Sequence, residues 1–479
     1  MAVNEPAQPA PELPTASAAL IFVPGISRSW GEHSLRAVAD DLMVALDRQT
    51  AGYDFSVSPA EAIKYPRSQS SGQHAALGLS ISRSPRVGGG NAEPLIDLYE
   101  LDYVKRLTSE YEKKALLVRA ALVFWTFVMG FLRLGRLLVP GARAKPLSHK
   151  IQIVLLLVLQ VLYALLLFVL FAEIIALVAD ALTAAQQLRG GPEPSPVASP
   201  SPAPSPGSGS GADAGNDGVF ASAWAIAEGV WESIWGRILR IAAAAGVLLW
   251  LILPPRQKFK EAIINSATDY LAVDRYLSGG AGAPRLAGEI DGLLEAIRDT
   301  APQYRRMDLC SYSLGSIVAI NAMFPFGTTP PAGSAVGNVT TLVTIGCPFD
   351  MVRLVRPGYF KGRKWLQPGP GWLNIYTPAD ILGSNFRDDE DEAPADPAVV
   401  ERATATESDQ SPDFPVPVNV AYHPGGVPPG GFLQGFRVHG SYWDPDGSGE
   451  NSCFVQVVEK LYAGDPILGN PPAPADGGG

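Results

Sequence analysis

Apolar residues fall into two patterns along this chain: short runs separated by polar helical stretches towards both ends, and long unbroken runs in the middle. At the N-terminal end, 18–23 (AALIFV) is continuously apolar and stops at Pro24-Gly25, the pattern of a fully buried strand. Leu35, Val38, Ala39, Leu42 and Leu46 then recur at helical spacing and predict a helix over 32–48. Strands are predicted at 53–58 and 95–101 (LIDLYEL). In the C-terminal half, 258–276 and 290–299 read as helices, 307–310 as a strand and 314–323 as a helix. Strands follow at 339–345 (VTTLVTI) and 372–376 (WLNIY), and a last helix at 452–462. Strands alternating with helices imply an α/β domain, with a mostly parallel sheet covered on both faces.

The middle of the chain obeys a different rule. Residues 151–172 read IQIVLLLVLQVLYALLLFVLFA, 22 residues without a charge and long enough to cross a bilayer core as a helix. A second run, 241–254 (IAAAAGVLLWLILP), extends upstream through Ile234 and Trp235, with Arg237 and Arg240 placed to snorkel. Spans are expected at about 151–175 and 234–254. The stretch 115–139 carries Arg119, Arg133 and Arg136 around aromatics and predicts an interfacial amphipathic helix. Between the spans, 190–218 (GGPEPSPVASPSPAPSPGSGSGADAGNDG) is a Pro/Ser/Gly linker that cannot build a core.

Charge orients this hairpin. Arg143, Lys145 and Lys150 precede the first span, and Arg256, Lys258 and Lys260 follow the second; the loop between carries Glu193, Asp213, Asp217, Glu228 and Glu232. Positive flanks stay in the cytoplasm, so the expectation is a cell-membrane protein with two spans and both soluble flanks on the cytoplasmic side. The expected organisation runs from a disordered start (1–17) through the first part of the soluble domain (18–110) to the membrane region (111–255). The second part of the domain (256–465) and a disordered tail (466–479) follow.

Composition narrows the function. The net charge is −10 and no basic stripe is present, which sets nucleic acid aside. Cys310, Cys347 and Cys453 are scattered and odd in number, which suggests a reduced compartment and neither a disulfide framework nor a zinc motif. The first residues lack the basic and apolar regions of a cleaved signal peptide.

The candidate chemistry sits in 307-MDLCSYSLGSIVAIN-321, where an apolar strand meets Ser311-Tyr312-Ser313-Leu314-Gly315 and a helix starts at once. A nucleophile elbow needs small residues two before and two after the serine, because strand and helix backbones come close. Ser311 and Gly315 meet that need around Ser313, although Gly is usual at the first position. A hydroxyl nucleophile needs a base held by a carboxylate, in the chain order Ser, acid, His. Of the five histidines only His423 and His439 follow the elbow; His423 lies in the plain turn YHPGG, and His439 in 437-RVHGSYWD-444. The acid is Asp380, in 374-NIYTPADILGS-384, with Asp350 after GCPF as its rival. The run 388-DDEDE-392 reads as a solvated acidic loop, and 385–435 as either a lid or a loose loop. Two backbone N–H groups would form the oxyanion hole: Leu314, and Ile26 in 22-FVPGIS-27, where Pro24 has no N–H to give.

These five places in order, FVPGIS, SYSLGS, TIGCPFD, NIYTPADILGS and VHGSYW, resemble the α/β-hydrolase superfamily, in particular its lipase and esterase branches. The resemblance covers roughly 18–110 and 258–465. It implies an α/β-hydrolase fold interrupted by a transmembrane helical hairpin, and serine hydrolysis with Ser313, Asp380 and His439 as the triad. It implies no cofactor and no metal. Pro24 stands where many members have His before Gly. The expected function is a membrane-anchored serine hydrolase acting on carboxylic esters, its site held near the lipid bilayer and its substrates small or lipid-like. The competing expectation is an inactive, membrane-tethered binding or scaffold protein, which the departures at Ser311 and Pro24 would favour.

Overall fold

The computed structural model of the chain describes residues 16–26, 32–50, 52–66, 73–87, 91–114, 256–279, 282–300, 304–326, 334–363, 370–380, 382–389, 391–406, 414–424, 438–443 and 452–462. It also describes the single positions 118, 122, 154 and 183, all helical.

The first apolar run is the centre of a nine-stranded mixed sheet. β1 (Ala18–Val23) lies parallel to β5 (Glu93–Glu100) on one side, with Ala18 opposite Ile96, and parallel to β6 (Arg306–Tyr312) on the other, with Ala18 opposite Arg306. From β6 the sheet continues parallel through β7 (Thr341–Ile345), β8 (Gly371–Tyr376) and β9 (Val418–Ala421). Beyond β5 it turns antiparallel: β4 (Gln73–Pro85) pairs with β5, and its far edge takes both β2 (Tyr53–Val57) and β3 (Glu61–Pro66). The order is β2-β4-β5-β1-β6-β7-β8-β9, with β3 off that path.

The strand pleat sorts the core into two layers. Ala18, Leu20 and Phe22 face one side with Cys310, Val343, Ile345 and Ile375. There they meet α1 (Glu32–Gln49) through Leu35, Val38, Leu42 and Leu46, and α8 (Phe454–Tyr462) through Phe454, Val457 and Val458. Ala19, Ile21 and Val23 face the other side with Met307, Leu309 and Leu342. That side is covered by α2 (Val104–Glu112), the end of α3 (Arg256–Leu277), α4 (Gly282–Thr300), α5 (Leu314–Met323), α6 (Phe349–Val355) and α7 (Pro397–Thr404). Because β1 is buried on both faces, every position in it is apolar, and each large side chain there stabilises by about 1.5–3 kcal/mol.

This order puts β1 and β6 side by side while their following helices, α1 and α5, depart to opposite faces. The carboxyl ends of such a strand pair leave a crevice, which is where open α/β sheets hold their ligands.

Several boundaries move from the sequence expectation. Ser17 belongs to the sheet and not to a loose terminus: its N–H donates to Leu95 O (3.1 Å) and its carbonyl accepts from Arg305 N (3.1 Å). The helix expected at 290–299 begins at Gly282, and the strand expected from 339 begins at Thr341 after a 3-10 turn, Ala335–Asn338.

By internal contacts the chain divides into two compact units, one comprising Met1–Ala115, Leu132–Ile153 and Ala267–Gly479, the other Leu116–Phe131 and Val154–Ser266. All nine strands belong to the first. The expected spans at about 151–175 and 234–254, the interfacial helix at about 115–139, the linker 190–218 and the tail 466–479 lie outside the described residues, apart from those single positions. Among the described residues, no helix is long and apolar enough to cross a membrane.

Candidate active site

The site begins with a backbone conformation that L-residues avoid. Ser313, at the junction of β6 and α5, has φ 52° and ψ −126°. A non-glycine residue there is strained by about 1–3 kcal/mol and persists only where its surroundings over-determine it. Here the Ser313 N–H donates to Ile345 O on β7 (2.9 Å), and its carbonyl accepts from Ser316 N (2.9 Å). The corner lifts the side chain out of the sheet, and Ser313 is half-buried between the fully buried Ser311 and the buried Leu314.

The small residues around it are explained by what they touch. A Cβ on Gly315 would lie 2.2 Å from Val23 O and 2.3 Å from Pro24 O, inside the backbone at the end of β1. Ser311 occupies the position where glycine is usual, without conflict. Its hydroxyl donates to Val343 O (2.9 Å) and lies 3.4 Å from Ser316 Oγ, and that hydroxyl in turn donates to Ser311 O (3.2 Å). Both buried hydroxyls are therefore satisfied, and nothing larger than serine is needed between strand and helix.

His439 and Asp380 converge on this corner. His439 Nε2 is 2.8 Å from Ser313 Oγ, and His439 Nδ1 is 2.8 Å from Asp380 Oδ2. With Nδ1–H donating to the carboxylate, Nε2 is the lone-pair nitrogen that accepts from the serine hydroxyl. Asp380 is buried, while His439 and Ser313 are both partly buried. Asp380 ends a tight turn after β8, its N–H bonded to Thr377 O (3.0 Å), and its other oxygen, Oδ1, accepts from Leu382 N (2.8 Å). Gly383 leaves room for it, since a Cβ there would sit 2.6 Å from Oδ2.

Tyrosines fix the histidine. The Tyr312 ring stacks on the imidazole, with centroids 5.3 Å apart and planes at 22°, and its hydroxyl donates to the His439 carbonyl. Tyr442 donates to Asp380 Oδ2 (2.9 Å) and accepts from Thr377 N (3.0 Å). Trp443 packs edge-on against Tyr312 and Phe22 and over Phe454, docking the histidine turn on the α1–α8 side of the sheet. The sequence reading passed over Tyr312, Tyr442 and Gly346 as site residues. Gly346 has φ 56°, and a Cβ there would lie 2.8 Å from the Tyr442 ring and 3.3 Å from the His439 ring. Its signal was the Gly-Cys-Pro at a strand end, beneath the place where the histidine lands.

The expected oxyanion donors belong to the two segments that meet at Ser313. Leu314 is the first residue of α5, so its N–H has no acceptor within the helix. Gly25 comes so close that a Cβ on it would be 3.1 Å from Ser313 Cβ, which brings the Gly25-Ile26 segment beside Ser313. The Tyr103 phenol, at the start of α2, donates to Pro24 O (2.8 Å) and holds that peptide from below.

The rivals are engaged elsewhere. Asp350 takes Ser384 Oγ and pairs with Arg353 (3.0 Å). His423 is exposed and pairs with Glu392 (3.1 Å). In the acidic run, Asp388 pairs with Arg353 and Arg402, and Asp389 with Arg387. Burial pushes the Cys310, Cys347 and Cys453 thiols up, away from the thiolate form. Among the described residues, no group of three or more His, Cys, Asp or Glu could hold a metal ion.

Compared with protein-family profiles, curated proteins and solved structures, the chain finds no match in any of the three.

Proposed function

We propose that this chain is a membrane-anchored serine hydrolase of the α/β-hydrolase kind, cleaving carboxylic esters. The observation that carries the reading is the continuous chain from Ser313 Oγ through His439 to Asp380, 2.8 Å at each link, on a strained strand-to-helix corner. Support also comes from the position of that corner, at the carboxyl end of β6 beside β1. In this reading the Ser313 hydroxyl proton passes to His439 Nε2 as Oγ bonds to the ester carbonyl carbon. Asp380 orients the ring and stabilises the imidazolium. The carbonyl oxygen takes the negative charge and is met by the Leu314 and Ile26 N–H groups; one such donor contributes about 10²–10³-fold in rate. The imidazolium proton goes to the departing alkoxide, leaving an acyl-Ser313 ester. Water, deprotonated by His439, attacks that ester, the acid is released and Ser313 recovers its proton.

The apolar runs at 151–175 and 234–254 are the basis for anchoring, and anchoring near a bilayer favours lipid-like esters. The test is labelling of membrane preparations with a fluorophosphonate probe, wild type beside Ser313→Ala. Labelling of the wild type that vanishes in the folded variant is the expected result. Absence of labelling in folded wild-type protein would overturn the proposal and leave the scaffold reading.

A further inference from the structure

Two hydrogen bonds end on one oxygen. Asp380 Oδ2 accepts from His439 Nδ1 (2.8 Å) and from the Tyr442 hydroxyl (2.9 Å). Tyr442 is fully buried, and its oxygen is held in turn by Thr377 N–H (3.0 Å), so its one proton is committed to the carboxylate. The ring has no freedom to turn away, with Gly346 and Gly383 against it and Tyr422 stacked 5.8 Å from it. It stands three positions after His439 on the same turn, so the histidine and its competitor for the carboxylate arrive together.

We propose that Tyr442 is a positioning residue that sets the basicity of His439 by sharing its carboxylate. A second donor on Oδ2 draws negative charge away from the oxygen that faces the imidazole. Less charge there means less stabilisation of the imidazolium, so His439 stays an unprotonated base further down in pH than the Asp380 pair alone would allow. Burial holds the Tyr442 phenol well above its ordinary range, which keeps it a donor throughout. Among the described residues, the other titratable groups around the ring are Tyr312 from β6, Tyr422 after β9 and Cys453 ahead of α8; burial also pushes the Tyr312 phenol and the Cys453 thiol up. From the turn after β7, Cys347 is buried beside Ser316 and Asp350 is turned to Ser384 and Arg353. The consequence for catalysis rests on the proposed serine hydrolysis; the wiring itself does not.

The experiment therefore reads the histidine directly. In the full chain held in mild detergent, proton NMR follows the His439 Nδ1–H resonance and the imidazole titration, in wild type and Tyr442→Phe. The expected result is an Nδ1–H resonance further downfield and a titration midpoint raised by about 0.5–1 unit. If the hydrolase reading holds, kcat/KM falls by about threefold to tenfold below the wild-type midpoint and recovers above it. A merely structural tyrosine would lower the active fraction equally at every pH; a folded Tyr442→Phe with both signals unmoved overturns the proposal. Should Tyr442→Phe fail to fold, replacement of Tyr442 by 3-fluorotyrosine keeps the shape and strengthens the donor. The midpoint must then move down, and an unchanged midpoint again overturns it. Moved resonances without fluorophosphonate labelling would keep this inference and remove the proposed hydrolysis.

Discussion

Gly315 has no room for a side chain, because the Val23 and Pro24 carbonyls at the end of β1 occupy the place where a Cβ would go, 2.2 and 2.3 Å away. Backbone cannot yield as the end of a flexible side chain does. Gly315→Ala is therefore expected to lose more than about 3 kcal/mol or to give no folded protein. Gly358→Ala, at a glycine with nothing within 4 Å of its Cβ position, should leave the melting temperature within about 2 °C of wild type. Thermal unfolding of the two variants side by side checks the pair, and equal stability would contradict the clash. At this scale the candidate site was legible where the proposed chemistry restricts the residue type. Ser313, His439, Asp380 and the small Gly315 each leave a mark in one-dimensional order. Tyr312 and Tyr442 left none, since a tyrosine beside a serine or a histidine is equally at home in an ordinary core. Their role appears only once β6, the turn after β8 and the histidine turn are brought together.

Among the elements, period and propensity identified those whose burial is simple. β1 is apolar throughout, and β7 and β8 are mostly so with Thr341, Thr344 and Asn374 buried among them, because helices cover both sides; α1 carries its stripe because one face meets the sheet. β4 had a readable core that was overlooked: Leu77, Leu79 and Ile81 alternate with Gly78, Ser80 and Ser82 in a 13-residue strand with β2 and β3 on one edge and β5 on the other. The four-residue β9 is too short for alternation to show. α7 had a readable start that was overlooked: Asp396 accepts from Ala398 N (2.9 Å), and Pro397 stands at the first helical position. Through Val400 and Ala403 that helix closes the core beside Trp372 and Phe386. Asp396→Ala should lower stability by about 1 kcal/mol in chemical denaturation while leaving fluorophosphonate labelling at 25 °C unchanged. A loss of labelling without a loss of stability would mean that α7 acts on the site itself.

For the whole molecule, the decisive contact is the pairing of β1 with β6 across everything between them. Alternating strands and helices foretold a mostly parallel sheet, but the central place of β1 was not legible, because chain order does not say which strands become neighbours. Strands from before and after 111–255 in one sheet must lie on one side of any bilayer, so any crossings within that stretch are even in number. Epitope tags at residues 1 and 479 should therefore show the same protease accessibility in sealed vesicles; opposite accessibility would require an odd count and contradict the sheet. The same pairing also sets a schedule for synthesis. β1 emerges early and can zip onto β5, yet its other edge waits for Arg306 and the residues after it, roughly 15–60 s at ~5–20 residues per second. For that interval the nascent chain carries an open, wholly apolar strand edge, the kind that templates aggregation. Guarding that edge is a demand this connectivity places on the cell each time the protein is made.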